Sequence, residues 1–109
     1  MSLVNLHMKN LKPKYNNILE WQRASPDHVY IGRKGSIFIN GKREWYDSSI
    51  WANPFKGDSC IEKYKEYIKA RLETEPELRS QLKELKGKYL GCWCAPGPCH
   101  GSVLIELLN

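Results

Sequence analysis

Residues 88–94 are apolar on both faces: Leu90, Cys92 and Cys94 alternate with Tyr89, Gly91 and Trp93. Successive side chains of a strand point to opposite sides. A strand apolar on both sides belongs inside a sheet that is covered by further layers. The chain leaves it through Ala95-Pro96-Gly97-Pro98 and enters an apolar stretch whose Val103, Leu104, Leu107 and Leu108 recur at helical spacing. Strand, tight turn and helix at the end of a 109-residue chain imply one α/β domain with a modest core.

The upstream elements fit that frame. His28–Arg33 reads as a strand ending at Gly32. Ser36–Trp45 reads as a hairpin, with Asn40-Gly41 supplying the positive φ values of a type I′ turn. Ser59-x-x-Glu62 and Thr74-x-x-Glu77 are capping boxes. The first opens a helix with Ile61, Tyr64, Ile68 and Leu72 on one face. The second opens one with Leu78, Leu82 and Leu85, which stops at Gly87. The expected fold is a small single-domain layered α/β sheet with parallel strands, an added β-hairpin and about three helices. Strands 28–33 and 88–94 would be parallel neighbours, and the helical pair their right-handed crossover. Residues 1–27, Asn- and Lys-rich with a small Ile18, Leu19, Trp21 cluster, read as a loose basic arm with one short helix. Residues 28–109 form the domain.

Charge is unevenly distributed. Residues 1–43 hold eight Lys or Arg against Glu20 and Asp27, whereas 44–109 hold nine basic against ten acidic residues. A basic first third suits nucleic acid or another polyanion as partner through residues 1–43; the bland alternative is that the lysines serve solubility alone or reflect AT-rich coding. No apolar run approaches the roughly 20 residues that span a bilayer, so no membrane role is expected. The N-terminus lacks the apolar core of a signal peptide, which points to an intracellular, cytoplasmic location with reduced thiols.

Three of the four cysteines and one of the three histidines fall within nine residues, Cys92 to His100. Three readings of that segment stand side by side. Cys92, Cys94, Cys99 and His100 are a zinc donor set of the right kinds. Adjacent Cys99 and His100 diverge by about 100° on a helix, however, which leaves His28 or Cys60 as a substitute fourth ligand. In the second reading, Cys99 at a helix N-terminus beside His100 is a nucleophile and acid–base pair. That N-terminus, with Gly101 allowing close approach, would also hold a phosphate or carboxylate. In the third, the cysteines are core residues. Elsewhere, Asn53 before Pro54 is held out of helical φ/ψ and its amide fixed in direction, although Asn-Pro is also ordinary turn chemistry. Gly32-Arg33-Lys34-Gly35 is either a phosphate cradle, through backbone N–H groups and Arg33, or an ordinary basic turn, the reading favoured by its lack of a G-x-G-x-x-G or P-loop pattern. Cys60 reads as packing, and His7 carries no assignment.

Val29-Tyr-Ile-Gly-Arg33, Trp51-Ala-Asn-Pro-Phe55, Leu85-Lys-Gly-Lys-Tyr-Leu-Gly-Cys-Trp-Cys94 and Pro98-Cys-His-Gly101 together resemble a small family of phages, large DNA viruses and some bacteria. It is known as domain of unknown function 4326, and the resemblance covers roughly residues 28–109. It implies that Gly32, Arg33, Asn53, Pro54, Phe55, Cys92, Cys94, Cys99, His100 and Gly101 occupy the family's motif positions. It also implies a viral or phage-like setting, hence host cytoplasm, and brings no activity with it. The leading expectation is a ligand pocket at the strand ends for a nucleotide or other phosphorylated small molecule. There Cys99 and His100 would carry any chemistry, Arg33 would face an anion, and Asn53 and Gly101 would contact the ligand. The alternative is a non-enzymatic zinc-stabilised module that binds nucleic acid through its basic arm.

Overall fold

The computed structural model describes residues 2–93 and 99–108; Cys94, a predicted metal ligand, lies outside them. The elements run β1 (Ser2–Asn5), α1 (Met8–Leu11), α2 (Ile18–Ala24), β2 (His28–Tyr30), β3 (Gly35–Ile39), β4 (Lys42–Tyr46), α3 (Cys60–Thr74), α4 (Pro76–Glu84), β5 (Tyr89–Cys92) and α5 (His100–Leu108). The fold is mixed α/β: a parallel sheet in the order β1-β5-β2, and a separate antiparallel β3-β4 hairpin.

The doubly apolar β5 is the central strand. Leu90 pairs with Leu3 of β1 on one side and with Val29 of β2 on the other. On one face of the sheet Ile31, Leu90 and Cys92 pack with Tyr64 and Ile68 of α3, Leu78 and Leu82 of α4, and Val103 and Leu104 of α5. On the other, Leu6, Leu11, Ile18, Trp21 and Tyr30 form a second buried cluster, closed by Ile37 and Tyr46 of the hairpin and by Trp93.

That second layer corrects the expectation of a loose arm over residues 1–27. A parallel strand leaves both of its edges with unpaired N–H and C=O groups, and β1 pairs one edge of β5. Its register is Ser2↔Tyr89 to Asn5↔Cys92, and Leu6 N–H continues it to the Cys92 carbonyl at 2.9 Å. α2 is a built helix: extended Asn17 caps it, its Oδ1 accepting from Glu20 N–H at 3.0 Å. Ile18, Leu19 and Trp21 are buried beneath it.

The hairpin forms as its turn chemistry dictates, with Asn40 at φ 53° and Gly41 at φ 79°. The two capping boxes behave differently from expectation. Ser59 is the N-cap of α3, but its side chain makes no cap hydrogen bond. Thr74 is the last residue of α3 rather than the cap of α4, its hydroxyl donating to the Ala70 carbonyl at 3.2 Å. Pro76 takes the first turn of α4, so the N-cap falls on Glu75.

Candidate functional site

β2 and β5 run parallel, so both deliver their following residues to one edge of the sheet. A cavity of about 400 Å³ opens there, lined by Tyr30, Gly32, Arg33, Lys34, Tyr46, Asn53, Phe55, Cys60, Ile61, Cys92, Trp93 and His100. Its size falls within the range of small-molecule sites. The basic turn, the Asn-Pro-Phe loop and the last helix, separated in sequence, meet at this place.

One wall is aromatic and fixed by hydrogen bonds. Tyr30 folds back along the chain and donates its hydroxyl to the Arg33 carbonyl at 2.6 Å, while Trp93 Nε1 donates to that hydroxyl at 3.0 Å. Tyr46 meets the Tyr30 ring edge-on at 5.3 Å and lies 6.2 Å from the Trp93 ring. Burial pushes the Tyr30 phenol up to about 12, against the pull of the Trp93 hydrogen bond, so it is neutral across the physiological range. Gly32 makes this fold-back possible. A Cβ there would stand 2.4 Å from the Tyr30 hydroxyl and 2.6 Å from its Cζ, and the hydroxyl is held by two partners. Gly32→Ala is therefore expected to displace the Tyr30–Trp93 wall and lower stability by about 1–3 kcal/mol. Thermal melting together with near-UV circular dichroism checks this; an unchanged aromatic signal would count against it.

The opposite wall is the loop before α3. Arg33 clamps it: Nε donates to the Asn53 carbonyl and Nη2 to the Phe55 carbonyl, both at 2.8 Å. Asn53 is buried, its Oδ1 accepting from Phe55 N–H at 2.9 Å and its Nδ2 donating to the Cys60 carbonyl at 3.3 Å. Asn53 and Arg33 thus shape the loop that presents Phe55. Each lines the cavity through a side chain that also serves the backbone.

His100 begins α5 and is buried against the cavity floor. Its Nε2 lies 2.6 Å from the Ile31 carbonyl. A carbonyl only accepts, so Nε2 carries the proton and Nδ1 is the acceptor nitrogen in the neutral ring. Nδ1 is 4.0 Å from Cys99 Sγ. Burial pushes His100 below its usual value, the Ile31 hydrogen bond works against that, and the Arg33 charge adds a smaller push downward. The ring is neutral at pH 7.

Cys99 and Gly101, one residue to either side, point elsewhere. Cys99 is 1% exposed and belongs to the core, its Sγ 3.1 Å from Cys92 Sγ and accepting from Gly101 N–H at 3.4 Å. A Cβ on Gly101 would lie 2.3 Å from Leu3 Cδ2 and 2.8 Å from Ile31 Cδ1. Gly101 therefore lets α5 approach the sheet, and lines no part of the cavity. His28 faces the arm: its Nδ1 is 2.6 Å from the Trp21 carbonyl and its ring stacks on Trp21 at 4.6 Å. Among the described residues, no three His, Cys, Asp or Glu side chains gather closely enough to hold a metal ion. No helix among the described residues is long and apolar enough to cross a membrane.

Sequence reasoning missed Tyr30, Tyr46, Trp93, Cys60 and Ile61 as cavity residues, while Lys34 stands in the basic turn that it singled out. The one local signal for them was Tyr30-x-Gly32, a large side chain two residues from a position that must lack a Cβ.

A small α/β domain with an aromatic, basic-edged cavity at the carboxyl ends of parallel strands is thus what the fold and site define. Residues 16–109 match the family described as Domain of unknown function (DUF4326), and the chain belongs to that family. It is 33% identical over 89 residues to an uncharacterised 12.4 kDa protein of the nrdA–td intergenic region of Enterobacteria phage T4. That match covers 72% of this chain and 82% of the phage protein. It is 36% identical over 93 residues to uncharacterised protein R718 of Acanthamoeba polyphaga mimivirus, covering 72% of this chain and 65% of the relative. Both relatives are viral. No solved structure matches the chain.

Proposed function

We propose that this domain binds a small phosphorylated aromatic ligand of the nucleotide class in the cavity at the ends of β2 and β5. The observation that carries this reading is the composition of the cavity. Tyr46, Trp93 and Phe55 supply aromatic surface for a planar ring, and Arg33 and Lys34 supply positive charge at the exposed edge. Binding rather than turnover is the activity proposed. Cys99 lies in the core behind the cavity, and the proton on His100 Nε2 is held by the Ile31 carbonyl.

Titration of the protein with nucleoside mono-, di- and triphosphates, the free nucleosides and ribose phosphate, followed by calorimetry, tests it. The expected result is binding that needs both base and phosphate. Phe55→Ala and Lys34→Ala should each weaken it by about tenfold, the effect of losing roughly 1.4 kcal/mol of ring contact or charge. Absence of binding by every nucleotide at millimolar concentration, or affinity unchanged in both variants, would sink the reading.

A zinc-stabilised module using Cys92, Cys94, Cys99 and His100 is the second reading. It draws on one observation, the 3.1 Å approach of the Cys92 and Cys99 sulfurs. One equivalent of zinc in the purified, untagged protein, with unfolding on chelation, would favour it.

A further inference from the structure

The hairpin turns one face inward and one to solvent. Directly opposed residues of an antiparallel pair share a face. The pairs Ser36↔Trp45 and Phe38↔Arg43 therefore place Phe38, Arg43 and Trp45 together, whereas Ile37 and Tyr46 turn to the arm cluster. Phe38 is 66% exposed and Trp45 56% exposed. Two large aromatics on one small outer face are unlike scattered surface apolar residues, which need no explanation.

Cations are threaded between them. The Arg43 guanidinium sits 5.2 Å from the Phe38 ring and 5.5 Å from the Trp45 ring, and Lys34 Nζ sits 5.4 Å from the Trp45 ring. Ion pairs among the described residues join Lys65 to Glu106 and Arg71 to Glu75; neither Arg43 nor Lys34 takes part in one. Both lie in the segment 1–43 that holds eight basic against two acidic residues. The face thus offers flat apolar rings with positive charge held beside them, and neither cation is engaged in an ion pair among the described residues. Its complement is a polyanion that carries exposed planar rings. A duplex hides its rings in the stack; a single strand presents them.

We propose that the outer face of the β3-β4 hairpin is a binding platform for single-stranded nucleic acid, on which Phe38 and Trp45 stack bases while Arg43 and Lys34 meet phosphates. This platform is distinct from the cavity, which Lys34 alone borders in common with it.

The test is fluorescence anisotropy of labelled 12-mers of dT and rU with the full chain at low salt, repeated across a salt series. The expected result is binding to the single strands that an unlabelled duplex competes for poorly. Trp45→Ala and Phe38→Ala should each weaken it by roughly 5- to 100-fold, the range seen when a stacking aromatic is removed. Arg43→Ala should reduce the slope of log K against log salt by about 0.7, one phosphate contact on a single strand. All three positions are exposed, so far-UV circular dichroism should show unaltered folding. Phe55→Ala, which alters the cavity, should leave oligonucleotide affinity unchanged, so failure of the nucleotide reading and failure of this one are separable. The proposal is overturned by equal affinity for duplex, by unchanged affinity in Trp45→Ala and Phe38→Ala, or by absence of binding at low salt. It is also overturned by loss in Phe55→Ala alone, or by a concentration-dependent dimer that Trp45→Ala abolishes, since the face then serves another copy of the chain.

Discussion

A chain shortened to residues 28–109 is expected not to fold as a stable monomer. The deleted segment holds five buried apolar side chains: Leu6, Leu11, Ile18, Leu19 and Trp21. At roughly 1.5–3 kcal/mol for each, their burial contributes about 8–15 kcal/mol before the entropy of ordering the segment is subtracted. The net stability of a domain this size is itself about 5–15 kcal/mol. The deletion also strips β1 from β5 and uncovers the face on which Trp21 packs against Gly91, with Trp21 Cη2 standing 2.6 Å from where a Cβ at Gly91 would lie. The exposed edge of β5 then invites pairing with other chains. Circular dichroism and thermal melting of the shortened chain are expected to show no cooperative transition, with aggregation as it is concentrated. Removal of residues 1–6 alone should give a folded but less stable protein, because Leu11 and α2 remain. A 28–109 fragment that melts cooperatively would show that the second layer is dispensable.

That prediction runs against what residues 1–27 suggest on their face, and the reason is physical. Ser2–Asn5 is too short and too mixed in character to read as a strand; it becomes one because β5 offers it an unpaired edge, a tertiary fact. By contrast β5 itself was legible, because alternation places apolar groups on both faces whatever surrounds it. The Asn40-Gly41 hairpin and the Gly87 stop were legible too, since positive φ is a local property, and Gly87 sits at φ 83°. Thr74 misled because two adjacent signals compete, and the ring of Pro76 fixes the helix start one residue later than the hydroxyl would.

The site divides in the same manner. Strand polarity predicts that residues following β2 and β5 share an edge, and Arg33 and His100 do meet there with Asn53. His100, the first residue of α5, lines the cavity, whereas Cys99, just ahead of the helix, is turned into the core. Spacing carries no trace of the aromatic wall, since Tyr46 arrives from a hairpin that folds back over the sheet and Tyr30 reads as an ordinary pleat residue. The family and its viral relatives bring no chemistry to these residues.

His100 should make the stability of the protein depend on pH in a window where few other groups titrate. In the unfolded chain it titrates near 6.5; in the folded chain burial holds it lower. The unfolded state therefore binds the proton more readily, and unfolding is favoured as pH falls. The stability attached to the neutral ring is complete above about pH 6.5 and is lost progressively below it, down toward the lower folded value. A single group limits the slope to about 1.4 kcal/mol per pH unit. The groups facing the ring reinforce the direction. Arg33 is a fixed positive charge, and the Tyr64 ring from α3 lies edge-on at 5.0 Å, its own hydroxyl held neutral by burial. Glu75 and Glu106, held low by Arg71 and Lys65, act in more acid solution. Denaturant melts between pH 7.5 and 5 should show this loss in the unmodified protein. In His100→Gln the amide nitrogen can still donate to the Ile31 carbonyl but does not titrate, so stability at pH 7.5 should stay close to that of the parent and its decline toward pH 5 should flatten. His100→Ala leaves the carbonyl without its donor and opens a cavity against Tyr64, and is expected to cost about 2–4 kcal/mol at pH 7.5. If His100→Gln keeps the slope of the parent protein, the proton that drives it sits on another group.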